Sequence, residues 1–421
     1  MTQRPLVLYD DVQARMMEPF ALARPLGEVR AGALLIRERW ERVSGASATG
    51  FCSARHLSRF DEPGAPETVT GMLRAGTVVV NTRFAPALAR GMPALSPGES
   101  LRAEGLAVAV ALSEDVEVET FSDGTTALDT LAPRRGTDVD GWWLHDSWDL
   151  IRHLTAMLTA DARVLAGAIP DEPPAHVSVL GEHRLAVARG AYLEPHVVAD
   201  TTNGDVIIMD GARIAAFTRL AGPCVIGPHT IVNGGRISGC SIGTHSRACG
   251  EMSVVIVNGY ANKGHDGFIG HSVIGRWANL GAGTTTSNLK NNYGHVRMRD
   301  TRGEHDTGMQ YLGSLIGDHA KTAIGTRLMT GTIVGAGANV FGDRSPDKLV
   351  PPFAWGDRPP FERHALEKFL ETAAHVMSRR DTELTTGMRD ALTEAWTMAG
   401  APTNPASASA ARIAPGKKRG R

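Results

Sequence analysis

Along the second half of the chain, aliphatic side chains recur at every sixth residue. They fall at Ile208, Ile214, Leu220, Ile226 and Val232, at Ile242, Ala248 and Val254, at Phe268, Ile274, Leu280 and Thr286, and at Ile316, Thr322, Leu328, Val334 and Val340. A helix repeats at three and four and a flat strand at two. A sustained six therefore predicts short strands bent at regular corners into a parallel β-helix with a continuous core. Glycine directly follows Ile226, Ile242, Ile274, Leu280, Ile316 and Val334, where the missing Cβ relaxes a corner. The register breaks at Asn258–Gly267 and again, more widely, at Asn291–Tyr311. Both breaks predict insertions that leave the solenoid, and such loops are common carriers of function.

The first 145 residues follow a different pattern. Leu6–Tyr9, Thr77–Val80 and Ala107–Leu112 predict strands, and Arg30–Val43 predicts an amphipathic helix with Leu34, Leu35 and Trp40 toward a core, so this part is an α/β domain. Residues 146–175 predict a helix, capped by the Ser147 hydroxyl with Asp149 at its positive end and running to Leu165, and then a proline-rich linker. The β-helix occupies 176–356. Two amphipathic helices over 357–398, near Phe361–Met377 and Thr382–Trp396, either cap its open end or serve assembly. The tail 399–421, rich in Ala, Pro and Ser with Lys417, Lys418, Arg419 and Arg421, predicts disorder.

Charge narrows the partners. The 44 basic and 45 acidic side chains leave a net charge of −1, so no overall field draws the chain to nucleic acid or to an anionic membrane. No apolar run approaches the ~18 residues of a membrane span, and MTQRPLVLYDD lacks the basic start and apolar run of an export signal. Cys52, Cys224, Cys240 and Cys249 form neither a C-x-x-C pair nor a disulfide framework, which points to a reducing cytoplasm. The 47 glycines fit a fold dense in turns.

Candidate chemistry concentrates in NKGHDGFIGHSVIGRWANLGAGTTTSNLKNN, residues 262–292. His265 offers an imidazole, whose ordinary pKa near ~6.5 suits proton transfer at neutral pH, and backbone N–H groups at a glycine-rich corner suit an oxyanion. The segment resembles the acetyltransferase half of the bacterial bifunctional N-acetylglucosamine-1-phosphate uridylyltransferase/glucosamine-1-phosphate N-acetyltransferase family. That family's G-H-x-x-[YF]-[LI]-G-x-x-x-I-G stretch meets Gly264, His265, Phe268, Ile269, Gly270, Ile274 and Gly275. Its N-[IL]-G-A-G-T-x-T-x-N stretch meets Asn279, Leu280, Gly281, Ala282, Gly283, Thr284, Thr286 and Asn288.

The resemblance implies a homotrimer of left-handed β-helices with acetyl-coenzyme A as cosubstrate and an amino sugar phosphate such as glucosamine-1-phosphate as acceptor. It implies His265 as general base, Asn279, Asn288 and Phe268 at the sugar, and Gly281, Ala282 and Gly283 at the cosubstrate. This chain has Ser253 where the family carries a lysine, Phe268 and Leu289 where it carries tyrosines, and Lys290 near a later lysine. Lys263, Lys290 and Arg276 are the cations left to meet a sugar phosphate.

The whole chain further resembles a divergent group of sugar nucleotidyltransferases, which places it in nucleotide-sugar biosynthesis. Their L-x-x-G-x-G-T-R-[LM] loop is here LYDDVQARMM, without glycine. Arg15 matches its arginine and Arg24-Pro25 a later proline, but Leu26 replaces the lysine that follows. Val78–Val80 leads into Asn81-Thr82-Arg83 and not into a Gly-Asp pair that holds magnesium. Asp10 and Asp11 remain as contacts to nucleotide or Mg2+, or as turn caps, and nucleotidyl transfer is in doubt. Two rival readings are a solenoid that binds a nucleotide sugar or serves as a scaffold without catalysis, and a zinc enzyme like γ-class carbonic anhydrase using His265 and His271, whose H-x5-H spacing departs from that family's H-x4-H.

Overall fold

The structure is a computed structural model that describes residues 4–132, 136–169 and 173–400. Residues 401–421 of the predicted tail and 170–172 of the predicted linker lie outside the described residues. The N-terminal domain centres on a six-stranded sheet in the order Thr137–Asp138, Ser100–Ala103, Leu106–Ala111, Val78–Asn81, Leu6–Tyr9, Ala48–Cys52. Leu6–Tyr9 runs parallel to both of its neighbours. All three predicted strands form. Ala48–Cys52 was not foreseen, because ATGFC carries no aliphatic run.

The predicted helix at 30–43 is shorter in the structure. Arg30–Ala31 and Leu34–Leu35 pair as a hairpin, and α1 spans Ile36–Ser44. Gly32 makes the turn at φ +63°, where a Cβ would lie 2.3 Å from the buried Asp161 carboxylate. The linker helix begins at Asp149, and Ser147 is not its cap. Asp149 itself accepts the His145 and Asp146 amides at 2.9 and 3.0 Å. The chain then forms α2 (Asp149–Arg152) and α3 (Leu154–Gly167), which lie on one face of the solenoid. Alternate residues of that face serve two cores. Val225, Ile256, Val273 and Leu315 pack outward with Leu154, Met157 and Leu158, while Ile226, Val257, Ile274 and Ile316 fill the interior.

The solenoid is a 21-stranded, almost wholly parallel sheet. One interior column runs Ile208, Ile226, Ile242, Val257, Ile274, Ile316, Val334, Val350. Two of the sixfold positions miss the interior. Val254 stands at a corner with φ +55°, and Phe268 yields to Ile269, which is fully buried. The coils tighten here. Ile237, Met252 and Ile269 each lie five residues before Ile242, Val257 and Ile274, and Gly235 lets adjacent coils close up, since its Cβ would meet the Gly250 oxygen at 2.2 Å.

The expected insertion at 258–267 does not exist. Ala248 pairs with Lys263, and Lys263 occupies the interior position of a regular coil, six residues from Val257 and from Ile269. The register looked broken only because a lysine replaces an aliphatic residue. The second break is real. Residues 291–311 form a hairpin, Arg297–Asp300 with Gly303–Asp306, that docks on the first domain: Thr301 donates to Glu18 at 2.5 Å and Arg302 pairs with Asp146 at 3.0 Å.

A corner of the solenoid carries an aromatic ladder. His229, His245, Tyr260 and Trp277 stack in sequence with ring centroids 4.8, 5.0 and 4.3 Å apart, and His319 follows at 6.3 Å. Beside it the two domains lock. Arg24 pairs with Glu62 at 3.1 Å and with Asp318, all three fully buried. Glu62 also takes the Trp277 indole N–H at 2.8 Å and lies 3.2 Å from the Arg276 guanidinium. The C-terminal helices α4 (Leu366–Ser378) and α5 (Thr386–Ala399) pack on the far side, with Phe369 against Phe353 and His319.

Burial alone would raise the Glu62 pKa, but Arg24, Arg276 and the Trp277 N–H overcome it and hold it at about 2. A depressed carboxyl stabilises the fold above its unfolded value of 4.5 and loses that contribution as pH falls through about 2. Glu62→Gln is expected to lower unfolding stability by about 3–5 kcal/mol in urea at pH 7, since the buried Arg276 loses its carboxylate and Arg24 is left with Asp318 alone, and to remove this acid step from a stability–pH titration.

Candidate functional site

His265 sits at the corner after Lys263, exposed, and not on an excursion from the solenoid. It lines a cleft of about 240 Å³ with Asn279, Asn262, Tyr260, Arg247 and, from the turn after α4, Arg379 and Arg380. Asn262 and Asn279 are outward residues of successive strands. The Asn279 carboxamide oxygen accepts from Asn262 Nδ2 at 2.7 Å, which leaves the Asn279 NH2 to donate into the cleft. Tyr260 belongs to the ladder and carries the Arg276 guanidinium 4.7 Å from its ring centroid. One wall of the cleft is thus continuous with the domain junction.

The other predicted site residues separate. Asn288 bonds His271 Nδ1 at 2.8 Å, and His271 stacks on Tyr311 at 5.3 Å; burial lowers the His271 pKa. Phe268 belongs with that group, because a Cβ on Gly270 would meet both the Phe268 ring and Asn288. Neither Asn288 nor Phe268 lines the His265 cleft. His271 is likewise a corner residue apart from His265, so the pair does not meet as joint metal ligands within one chain.

Gly281, Ala282 and Gly283 form the corner of the next coil. The Gly281 amide donates to Thr322 and the Gly283 amide to Asp266, so neither is free for an oxyanion. Gly281 is needed where it is, since its Cβ would lie 2.5 Å from the Ala323 backbone.

The predicted phosphate cations are engaged elsewhere. Lys263 is 2% exposed, and its ammonium donates to the carbonyls of Cys249, at 2.9 Å, and of His265; burial lowers its pKa. Arg276 is held by Glu62 and Tyr260, and Lys290 donates to the His295 carbonyl at 3.1 Å within the docked hairpin segment. Arg247, Arg379, Arg380 and Tyr260 were missed. An Arg-Arg pair at the end of a predicted helix was the available signal, but helix C-termini attract cations in any case.

In the first domain, the groups proposed for nucleotide and magnesium face inward partners. Asp10 accepts from Ser53, from Thr82 at 2.5 Å and from the Leu26 amide at 3.0 Å, and burial raises its pKa. Asp11 is clamped by Arg83 at 2.6 Å, with Asn81 and the Ala14 amide on the same carboxylate. Burial opposes the charge on Asp11, but Arg83 prevails and its pKa is lowered. Arg15 donates to the carbonyls of Asp10, Phe121 and Ser122. Oxygens already saturated by a guanidinium and by N–H and O–H donors do not fit Mg2+, which requires open carboxylate oxygens.

Residues 6–168 match the family described as sugar nucleotidyl transferase. The chain is 27% identical over 215 residues to the bifunctional protein GlmU of Nitrosospira multiformis, covering 46% of this chain and 43% of that one. It is 27% identical over 218 residues to the protein of the same name from Alkalilimnicola ehrlichii, covering 50% and 43%. A bifunctional sugar-1-phosphate nucleotidylyltransferase/acetyltransferase of Sulfurisphaera tokodaii is 32% identical over 77 residues, 18% of this chain and 19% of that one. The aligned stretch thus spans less than half the length of these relatives. With an α/β domain leading into a β-solenoid, the chain is similar to these bifunctional proteins over about half of its length.

Lys263→Met keeps the aliphatic stem and removes the ammonium. It is expected to lower stability in urea unfolding by about 1–3 kcal/mol, as the Cys249 and His265 carbonyls lose their buried donor, whereas Lys290→Met at the hairpin leaves the unfolding midpoint unchanged.

Proposed function

We propose that this chain is a sugar-phosphate acyltransferase of nucleotide-sugar metabolism, moving acetyl from acetyl-coenzyme A to the amine of an amino sugar phosphate such as glucosamine-1-phosphate. The observation that carries the reading is that His265 and Asn279, the two polar anchors of the matched motifs, line one cleft. In the reaction the neutral amine attacks the thioester carbonyl and a C–N bond forms. His265 takes the amine proton as general base, the C–S bond breaks, and the thiolate leaves as free coenzyme A after taking up a proton. The Asn279 NH2 orients the acceptor.

Two apolar side chains, Phe217 at 79% and Ile324 at 82% exposure, stand at corners of the solenoid, Ile324 in the coil after Ala282. A homotrimer is part of this proposal, as the resemblance implies. Four unpaired thiols fit a reducing cytoplasm. No helix among the described residues is long and apolar enough to cross a membrane. For the first domain we favour a supporting role over nucleotidyl transfer, because Arg83 occupies Asp11 and the matched arginines serve internal bonds.

Purified protein given acetyl-coenzyme A and glucosamine-1-phosphate is expected to release free coenzyme A, and His265→Ala to lower turnover by about 10²–10⁴. Absence of turnover across amino sugars, with and without nucleotide, overturns the proposal. With UTP or dTTP, Mg2+ and a sugar-1-phosphate, no pyrophosphate release is expected.

A further inference from the structure

Three arginines reach the His265 cleft from two separate elements. Arg247 is an outward residue of the solenoid strand Arg247–Val257, and Arg379 and Arg380 follow α4. No carboxylate lines the cleft; Asp381, next in the chain, is not part of the lining. Arg380 is held by neutral backbone acceptors, His245 O at 3.1 Å and Arg379 O at 3.3 Å. Burial, and then the charges of Arg247 and Arg379, lower the proton affinity of Arg380. The negative end of α4 accounts for two arginines at its C-terminus. It does not account for Arg247 facing them across a cleft, an arrangement that like charges oppose unless an anion enters.

We propose that Arg247, Arg379 and Arg380 form a phosphate-binding subsite of the cleft, which takes a phosphomonoester or pyrophosphate group of a ligand whose other end reaches His265. Guanidinium forks match phosphate oxygens in bidentate fashion. The subsite also supplies what the engaged cations do not: Ser253 carries no charge, Lys263 points into the coil, and Arg276 belongs to Glu62. The inference rests on the same cleft as the proposed acyl transfer, but anion binding requires no turnover. The phosphate can belong to the sugar acceptor or to coenzyme A.

The test is calorimetric titration of the full chain with inorganic pyrophosphate. Binding is expected, weakening with added sodium chloride, and is expected to drop by about tenfold or more in Arg379→Ala/Arg380→Ala and in Arg247→Ala. Arg379→Lys/Arg380→Lys retains the charge and is expected to fall between. No binding by the wild type, or equal binding by folded alanine variants, overturns the subsite. Titrating glucosamine-1-phosphate against glucosamine, and coenzyme A against its 3′-dephospho form, assigns the source. A phosphate-dependent loss in the variants with either pair supports the proposal, and loss with neither overturns it. Should pyrophosphate binding depend on the arginines while no coenzyme A is ever released, the subsite stands and the acyl-transfer reading falls.

Discussion

A buried carboxylate, Glu62, holds the molecule together where its parts meet. It sits between Arg24 of the first domain and Arg276 of the solenoid, takes the Trp277 indole N–H, and shares Arg24 with Asp318 one coil further on. Ions taken out of water carry a desolvation penalty that a single pair seldom offsets, so such a site relies on several opposed charges acting together. Here two guanidiniums and an N–H face one carboxylate, and a second carboxylate completes the balance. The arrangement fixes the register of the first domain against one corner of the solenoid, which a purely apolar contact would specify less sharply.

That corner is itself strained. His229, His245, Tyr260, Trp277, His319 and Phe353 all have φ between +54° and +64°, a conformation natural to glycine. Each such residue costs roughly 1–2 kcal/mol in the left-handed region, and an aromatic stack returns roughly 0.5–1.5 kcal/mol beyond the area it buries. The two magnitudes are close enough for stacking and burial together to sustain a ladder where isolated residues would not. Burial holds the His319 pKa at about 3, so that ring stays neutral within the stack. Tyr260 then reaches from the ladder into the His265 cleft, and Arg380 binds the His245 carbonyl from the other side. The domain lock, the ladder and the docked helix thus shape one wall of one site.

Much of the architecture was legible because it is periodic. The six-residue step located the interior of the solenoid at Ile208 through Val232 and again from Ile316, and every one of those positions is buried. It failed where tertiary packing set a different count: at the five-residue steps into Ile242, Val257 and Ile274, and at Lys263, whose ammonium is satisfied by carbonyls that sequence cannot display. The ladder had a signal that went unread, a ring two residues after glycine in GPH, GTH, GRW and GDH. The site divided along the same line. His265 and Asn279 could be named from a motif, but the partition of Asn288 to His271, and of Arg276 to Glu62, depends on which corner of a coil each residue occupies.

The first domain shows how the solenoid and its neighbour came to share residues. Arg24, beside the proline matched to the nucleotidyltransferase loop, is fully buried against Glu62 and Asp318, and Leu26, in place of a lysine, is fully buried with its amide on Asp10. Arg83, just after the strand Val78–Asn81, neutralises Asp11. Each of these groups fastens the sheet edge or the junction. A loop without glycine cannot bring successive backbone amides close to a phosphate, but it can carry the side chains that build such contacts. In the first loop Asp11 is held by Arg83 and Asp10 by N–H and O–H donors, while Arg24, further along the same connection, fastens the domain to the solenoid; the cleft beneath α4 takes its positive charge from Arg247, Arg379 and Arg380.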